Sequence, residues 1–104
     1  MTSYPIVSII CPTYNEEQYI SKCVSSILQQ DYPGDKLEIL FVDGLSSDAT
    51  RDIILSAAKK HTYIRLIDNP YRHVPYALNI GIEHAVGEII VRIDAHASFP
   101  TNYV

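Results

Sequence analysis

Two cysteines, four glycines and no surplus of basic residues set the first limits on this 104-residue chain. Cys11 and Cys23 lack the spacing of a cysteine-built metal site. Each falls on an apolar stretch and reads as a small buried hydrophobe, with no structural disulfide expected. Eight Lys and Arg stand against twelve Asp and Glu, a net charge of −4. That balance offers no electrostatic footprint for nucleic acid or an anionic membrane surface. No Gly-x-Gly-x-x-Gly follows the first apolar run, which excludes dinucleotide binding of the usual kind. The longest apolar runs are about six residues, far short of the ~20 that span a bilayer. Met1 to Pro5 has neither the basic start nor the apolar core of a signal peptide, so the expected compartment is the cytoplasm.

What is present describes one globular domain at most, with 47% hydrophobic and 19% charged residues. A chain of this length buries roughly 60 to 70% of its unfolded surface, enough for a core of modest stability. Apolar β-type runs alternate strictly with helical patterns. Strands are expected at 6–11, 38–43, 63–68 and 88–93. The first two and the last are apolar almost throughout, as suits parallel strands covered on both faces. The third alternates more clearly, which places it nearer a sheet edge. Tyr19, Ile20, Cys23, Val24, Ile27 and Leu28 form one helical stripe, with Asn15 expected as its cap and Gln18 three positions on. Ile53, Ile54, Ala57 and Ala58 mark a second helix. Pro75 fits the first turn of a third, whose apolar side carries Leu78, Ile82 and Ala85, with Gly87 as its C-terminal cap. The expected fold is α/β: a β-α-β-α-β-α-β doubly wound, mainly parallel half-sheet of Rossmann type. A four-strand half-sheet leaves an unpaired edge, a surface for self-association. The chain stops ten residues after Asp94, so residues 1–104 are expected to be the N-terminal part of a longer protein.

Polar clusters follow three of the runs, and in open α/β sheets ligands bind at that C-terminal edge. After the first comes Pro12-Thr-Tyr-Asn-Glu16, where Tyr14 either stacks on a base, worth ~1–3 kcal/mol, or packs on the helix below. Asp43 ends the second run ahead of Gly44, which allows close backbone approach. Its carboxylate can accept the imide N–H of uracil, a ribose hydroxyl or its own loop's amides. Asp94-Ala-His96 ends the last run with two ligand-capable groups at i and i+2. A carboxylate with phosphate oxygens suits Mg²⁺, and an imidazole shifts preference toward Mn²⁺. Arg72, in the 69–73 loop, can clamp a phosphate or stay solvated. Together these residues point to a nucleotide-diphosphate site. A receiver-type signalling domain also gathers aspartates at strand ends, but it needs an acidic pair where this chain has Cys11-Pro-Thr-Tyr14.

Three segments, Val7-Ser-Ile-Ile-Cys-Pro-Thr-Tyr-Asn-Glu16, Phe41-Val-Asp-Gly-Leu-Ser-Ser-Asp-Ala-Thr50 and Gly87-Glu-Ile-Ile-Val-Arg-Ile-Asp94, resemble family 2 glycosyltransferases of the GT-A fold. Ala77-Leu-Asn79 with Gly81 resembles that family's Ala-Arg-Asn segment, and Val91 to Ala97 looks most like its bacterial exopolysaccharide, succinoglycan-type branch. The resemblance implies a UDP-sugar donor, a glycan or lipid-linked acceptor, a divalent cation and an inverting transfer. It implies that Pro12, Tyr14 and Glu16 line the nucleotide pocket, that Asp43 pairs with uracil, and that Asn79 belongs to the nucleotide-binding set. Asp94 and His96 would fill the Asp-x-Asp metal motif. Leu78 stands where the family often has arginine, so a phosphate contact is absent or moved to Arg72. His96 replaces the second aspartate. The family's catalytic base lies beyond the fourth strand, so this chain alone is expected to bind donor without transferring sugar.

Overall fold

A computed structural model describes residues 4–95. Four strands, β1 (Val7–Thr13), β2 (Leu37–Asp43), β3 (Ile64–Asp68) and β4 (Ile89–Arg92), alternate with helices α1 (Ile20–Leu28), α2 (Thr50–Lys60) and α3 (Val74–His84). All strand pairs are parallel, and the sheet order is β3-β2-β1-β4. The expected doubly wound α/β half-sheet is therefore what forms, and the alternating third strand does lie at an edge.

That order follows from the chain's direction of travel. The chain moves outward from β1 through β2 to β3, then reverses and lays β4 on the other side of β1. Crossovers in parallel sheets are right-handed, so reversing direction moves the connecting helix to the opposite face. Accordingly α1 and α2 cover one face with Val7, Ile9, Cys11, Ile39 and Phe41, while α3 covers the other with Ile10, Leu40 and Val42. The period-two split of each strand between two apolar layers explains why β1 and β2 read as continuous hydrophobic runs. Cys11 and Cys23 are free thiols within the first layer. A thiol hydrogen bond with Cys23, together with burial, pushes Cys11 well above the ordinary thiol range.

Three local expectations are corrected. Asn15 does not cap α1: the helix starts at Ile20 behind Tyr19 with no side-chain cap, and the Asn15 side chain bonds to another loop. Of the expected apolar side of α3, Leu78 and Ala85 do pack against the core, but the fully buried positions are the small residues Ala77 and Gly81, and Ile82 is 56% exposed. A Cβ at Gly81 would meet Ile10 Cγ2 at 2.7 Å, so glycine there lets the helix settle on β1. Gly87 is not a left-handed cap, since no glycine has positive φ. Its amide donates to Ser8 Oγ at 2.8 Å, and the neighbouring Val86 amide donates to Glu38 Oε1. Gly87 is small because the backbone of β1 passes against it.

Candidate functional site: a cavity at the switch point

The reversal puts the topological switch between β1 and β4, and a cavity of about 130 Å³ opens at the C-terminal ends of these two strands. Pro12, Thr13, Tyr14 and Glu16 reach it from β1 and the loop that follows. Arg72, Val74 and Ala77 close it from the β3–α3 side, and Asp94 and Ala95 from the end of β4. Five of the residues singled out in the sequence, Pro12, Tyr14, Glu16, Arg72 and Asp94, are thus brought to one opening. Pockets that enclose whole small ligands run to ~300–1,000 Å³. A ligand as large as a nucleotide-sugar would therefore occupy the cavity with one part and lie over the rim with the rest.

Three loops frame the opening, and each holds one non-glycine residue with positive φ: Asn15 at 50°, Leu45 at 61° and Arg72 at 65°. Such conformations cost free energy and persist where surrounding bonds enforce them. The enforcing bonds are visible. The Asn15 amide donates to Ser46 Oγ at 2.8 Å, and the Ser47 amide donates to Asn15 Oδ1 at 2.9 Å. The Glu16 amide donates to Thr50 Oγ1 at 2.8 Å. Asn69, buried at the end of β3, accepts the Tyr71 amide on Oδ1 and donates through Nδ2 to the His73 carbonyl. It shapes the Arg72 loop, and its only signal in the sequence is the turn-forming pair Asn69-Pro70.

Asp43 lies beneath this frame rather than in the cavity. It is fully buried. Oδ1 accepts from Thr13 Oγ1 at 2.7 Å and Ser46 Oγ at 2.6 Å. Oδ2 accepts from the Ser46 amide at 2.7 Å and from Arg51 at 3.1 Å. Four donors fill the four lone-pair positions of a carboxylate. Arg51 continues to Asp68 at 2.7 Å and so ties the end of β2 to that of β3. Thr13, which Asp43 holds and which lines the cavity, and Arg51 were not singled out in the sequence. A threonine ending an apolar strand and an arginine inside a helix carry no distinctive pattern.

Asn79 is exposed on α3 and does not line the cavity, whose α3 contribution is Ala77. His96 lies outside the described residues. Asp94 faces the cavity with its side chain 55% exposed and paired to Arg92 at 3.3 Å. No group of three or more metal-ligating side chains occurs among the described residues. Two carboxylates, Glu16 and Asp94, reach the cavity; that number fits a Mg²⁺- or Mn²⁺-type ion held jointly with substrate phosphates, and does not fit an all-protein cage.

Tyr14 is 39% exposed, and the Arg72 guanidinium lies over its ring, 5.0 Å from the centroid. The other three arginines, Arg51, Arg65 and Arg92, each pair with a carboxylate. Among the described residues Arg72 has no ion pair.

A parallel sheet with a switch-point cavity lined by an aromatic ring, a cation and accessible carboxylates defines a doubly wound α/β domain of the Rossmann-like, GT-A class. The chain belongs to glycosyl transferase family 2, whose model matches residues 8–104. It is 45% identical over 93 residues to a dolichyl N-acetyl-α-D-glucosaminyl phosphate 3-β-D-2,3-diacetamido-2,3-dideoxy-β-D-glucuronosyltransferase of Methanococcus voltae, covering 88% of this chain and 29% of that protein. It is 36% identical over 100 residues to glycosyltransferase AglE of Haloferax volcanii, covering 94% and 33%. Among solved structures it matches the mannosyltransferase PcManGT of Pyrobaculum calidifontis, in complex with GDP-Man and Mn²⁺, with TM-score 0.87 and 40% identity. That match covers 95% of this chain and 30% of the other. It also matches Staphylococcus aureus TarS 1–349 in complex with UDP-GlcNAc, with TM-score 0.80 and 26% identity over 91% of this chain and 28% of that one. The chain spans about a third or less of the length of these relatives.

Proposed function

We propose that this chain forms the donor-binding part of a glycosyltransferase that moves a sugar from a nucleotide-diphosphate sugar, foremost a UDP-sugar, to a glycan or lipid-linked acceptor. The observation that carries this reading is the convergence of Tyr14, Arg72 and Asp94 on one switch-point cavity. Tyr14 stacks against the base, with Pro12 and Glu16 as walls of the same opening. Arg72 takes the diphosphate, the role left vacant by Leu78. Asp43 acts as a positioning residue: it fixes Thr13 and the Ser46 loop, so the walls are rigid before ligand arrives.

Asp94, with the His96 position two residues on, would hold a Mn²⁺ or Mg²⁺ ion. Such an ion stabilises charge developing on the leaving diphosphate. The base that activates the acceptor hydroxyl is not among the residues this reading assigns, so the purified 104-residue chain should bind donor and show no turnover. A cytoplasmic setting, with the complete enzyme acting at the cytoplasmic face of a membrane, is part of the proposal, as is self-association through the β4 edge, where Ile89 and Ile90 are 44% and 43% exposed.

Calorimetry with UDP, with and without Mn²⁺, tests the reading. Mn²⁺ should tighten UDP binding, and Asp94→Asn should remove about tenfold of that affinity, the range for a lost charged contact. Equal UDP affinity in wild type and Asp94→Asn, whatever the metal, would sink the assignment.

A further inference from the structure

Arg72 occupies the surface that a base needs. Its guanidinium lies 5.0 Å above the Tyr14 ring, the ring assigned above to base stacking. This is a seated arrangement, because three loops meet there. A Cβ placed on Gly44 would lie 3.2 Å from both Arg72 Cα and Tyr14 Cδ1. Glycine at 44 therefore lets the Arg72 backbone and the Tyr14 ring both close on the start of the β2–α2 loop. The positive φ of Arg72, supported by Asn69 through the Tyr71 amide and the His73 carbonyl, sets the direction from which its side chain leaves the loop.

The contact is also replaceable. A cation over an exposed ring is a weak interaction, whereas an arginine fork on phosphate oxygens is among the stronger ones. Arg72 has no carboxylate to hold it among the described residues, unlike the other three arginines. A nucleoside entering the cavity must displace the guanidinium and offers it nothing. A nucleoside diphosphate displaces it from Tyr14 and receives it on the phosphates.

We propose that Arg72 is a specificity-determining residue that covers Tyr14 in the empty site and yields it only to phosphorylated nucleosides. The pocket thereby disfavours uridine-type ligands that share the base but lack the diphosphate. This inference rests on the donor-binding reading and adds to it a sign: Arg72 opposes the base and favours the phosphates.

Titration of the full 104-residue chain with uridine and with UDP tests it, using wild type, Arg72→Asn and Arg72→Lys. Asparagine tolerates positive φ, so the loop keeps its shape, and the side chain replaced is exposed. Arg72→Asn should bind uridine about two- to fivefold tighter, the equivalent of one exposed cation–π contact. It should bind UDP about tenfold more weakly. Arg72→Lys should fall between, since it keeps the charge and loses the planar fork. Inorganic pyrophosphate added to wild type should shift the Tyr14 ring NMR signals, assigned with Tyr14→Phe, and should leave them unmoved in Arg72→Asn. Weaker UDP with unchanged or weaker uridine would overturn the covering role and leave the donor reading intact. Wild type that binds neither ligand would overturn both.

Discussion

Replacing Asp43 separates a residue that builds the site from one that touches the ligand. Asp43→Asn keeps the side chain's shape and removes its charge. The amide can turn its oxygen toward the Ser46 amide and Arg51, and its NH₂ toward the hydroxyls of Thr13 and Ser46, which can rotate to accept. What is lost is the ionic character of all four bonds, since each has the carboxylate as its acceptor. Hydrogen bonds to charged groups contribute ~1.5–3 kcal/mol against ~0.5–1.5 for neutral ones, so the four together lose about 3 kcal/mol. The Arg51 share is at the low end, because Arg51 is 29% exposed and keeps Asp68. For a domain of this size about 3 kcal/mol corresponds to roughly 12–24 °C in Tm. Asp43→Ala leaves four donors facing a void and should cost about 3–5 kcal/mol, as for other broken buried ion pairs. Urea unfolding followed by far-UV circular dichroism measures both, with UDP affinity determined well below each midpoint. If Asp43→Asn stays within about 0.5 kcal/mol of wild type while UDP affinity falls tenfold, Asp43 acts on the nucleotide directly and its supporting role is wrong.

Two further outcomes rest on separate features. Gly87→Ala would place a Cβ 2.7 Å from Ser8 N and 2.9 Å from the Ile6 carbonyl oxygen; backbone atoms cannot step aside, so unfolding in urea should show a loss of about 1–3 kcal/mol. Asp48 is partly desolvated, which raises its pKa, but bonds from the Thr50 hydroxyl and amide and the Glu17 amide outweigh this and hold it below the ordinary value of 3.8. A depressed carboxylate stabilises the fold above its unfolded-state pKa and loses that effect as pH falls through the lower folded value. Asp48→Asn should therefore narrow its stability gap from wild type as pH drops below about 3.8; a gap constant down to pH 2 would contradict the account.

The strands were legible because β1 and β2 bury both faces, and a run such as Ile39-Leu-Phe-Val42 has few other uses. The site's outline was legible because Tyr14, Arg72 and Asp94 follow strand ends, and strand ends share one edge in a parallel sheet. Depth was not legible. A strand-terminal aspartate looks the same in sequence whether it faces an open cavity, like Asp94, or four protein donors, like Asp43. Asn15 satisfies a capping rule and yet serves the Ser47 amide, because a tertiary bond outcompetes a local one. The small-residue face of α3 was hidden for a related reason. Ile82 looks like core by its type, but only Ala77 and Gly81 let the helix approach Ile10.

The position of β4 has a consequence for the order in which the molecule becomes competent. β1 gains β2 as a neighbour early in the sequence, but its pairing with β4 joins Val7 to Ile89, 82 positions apart. Closing so long a loop is entropically slow and is rewarded by only four paired residues. The cavity lies on that seam, with Asp94 just past the end of β4. By sequence separation, the β1–β4 pairing that frames the cavity is thus expected to form after the β1–β2 pairing. The cavity is the first feature to go when the β4 edge opens locally, while the β1–β2–β3 core remains intact.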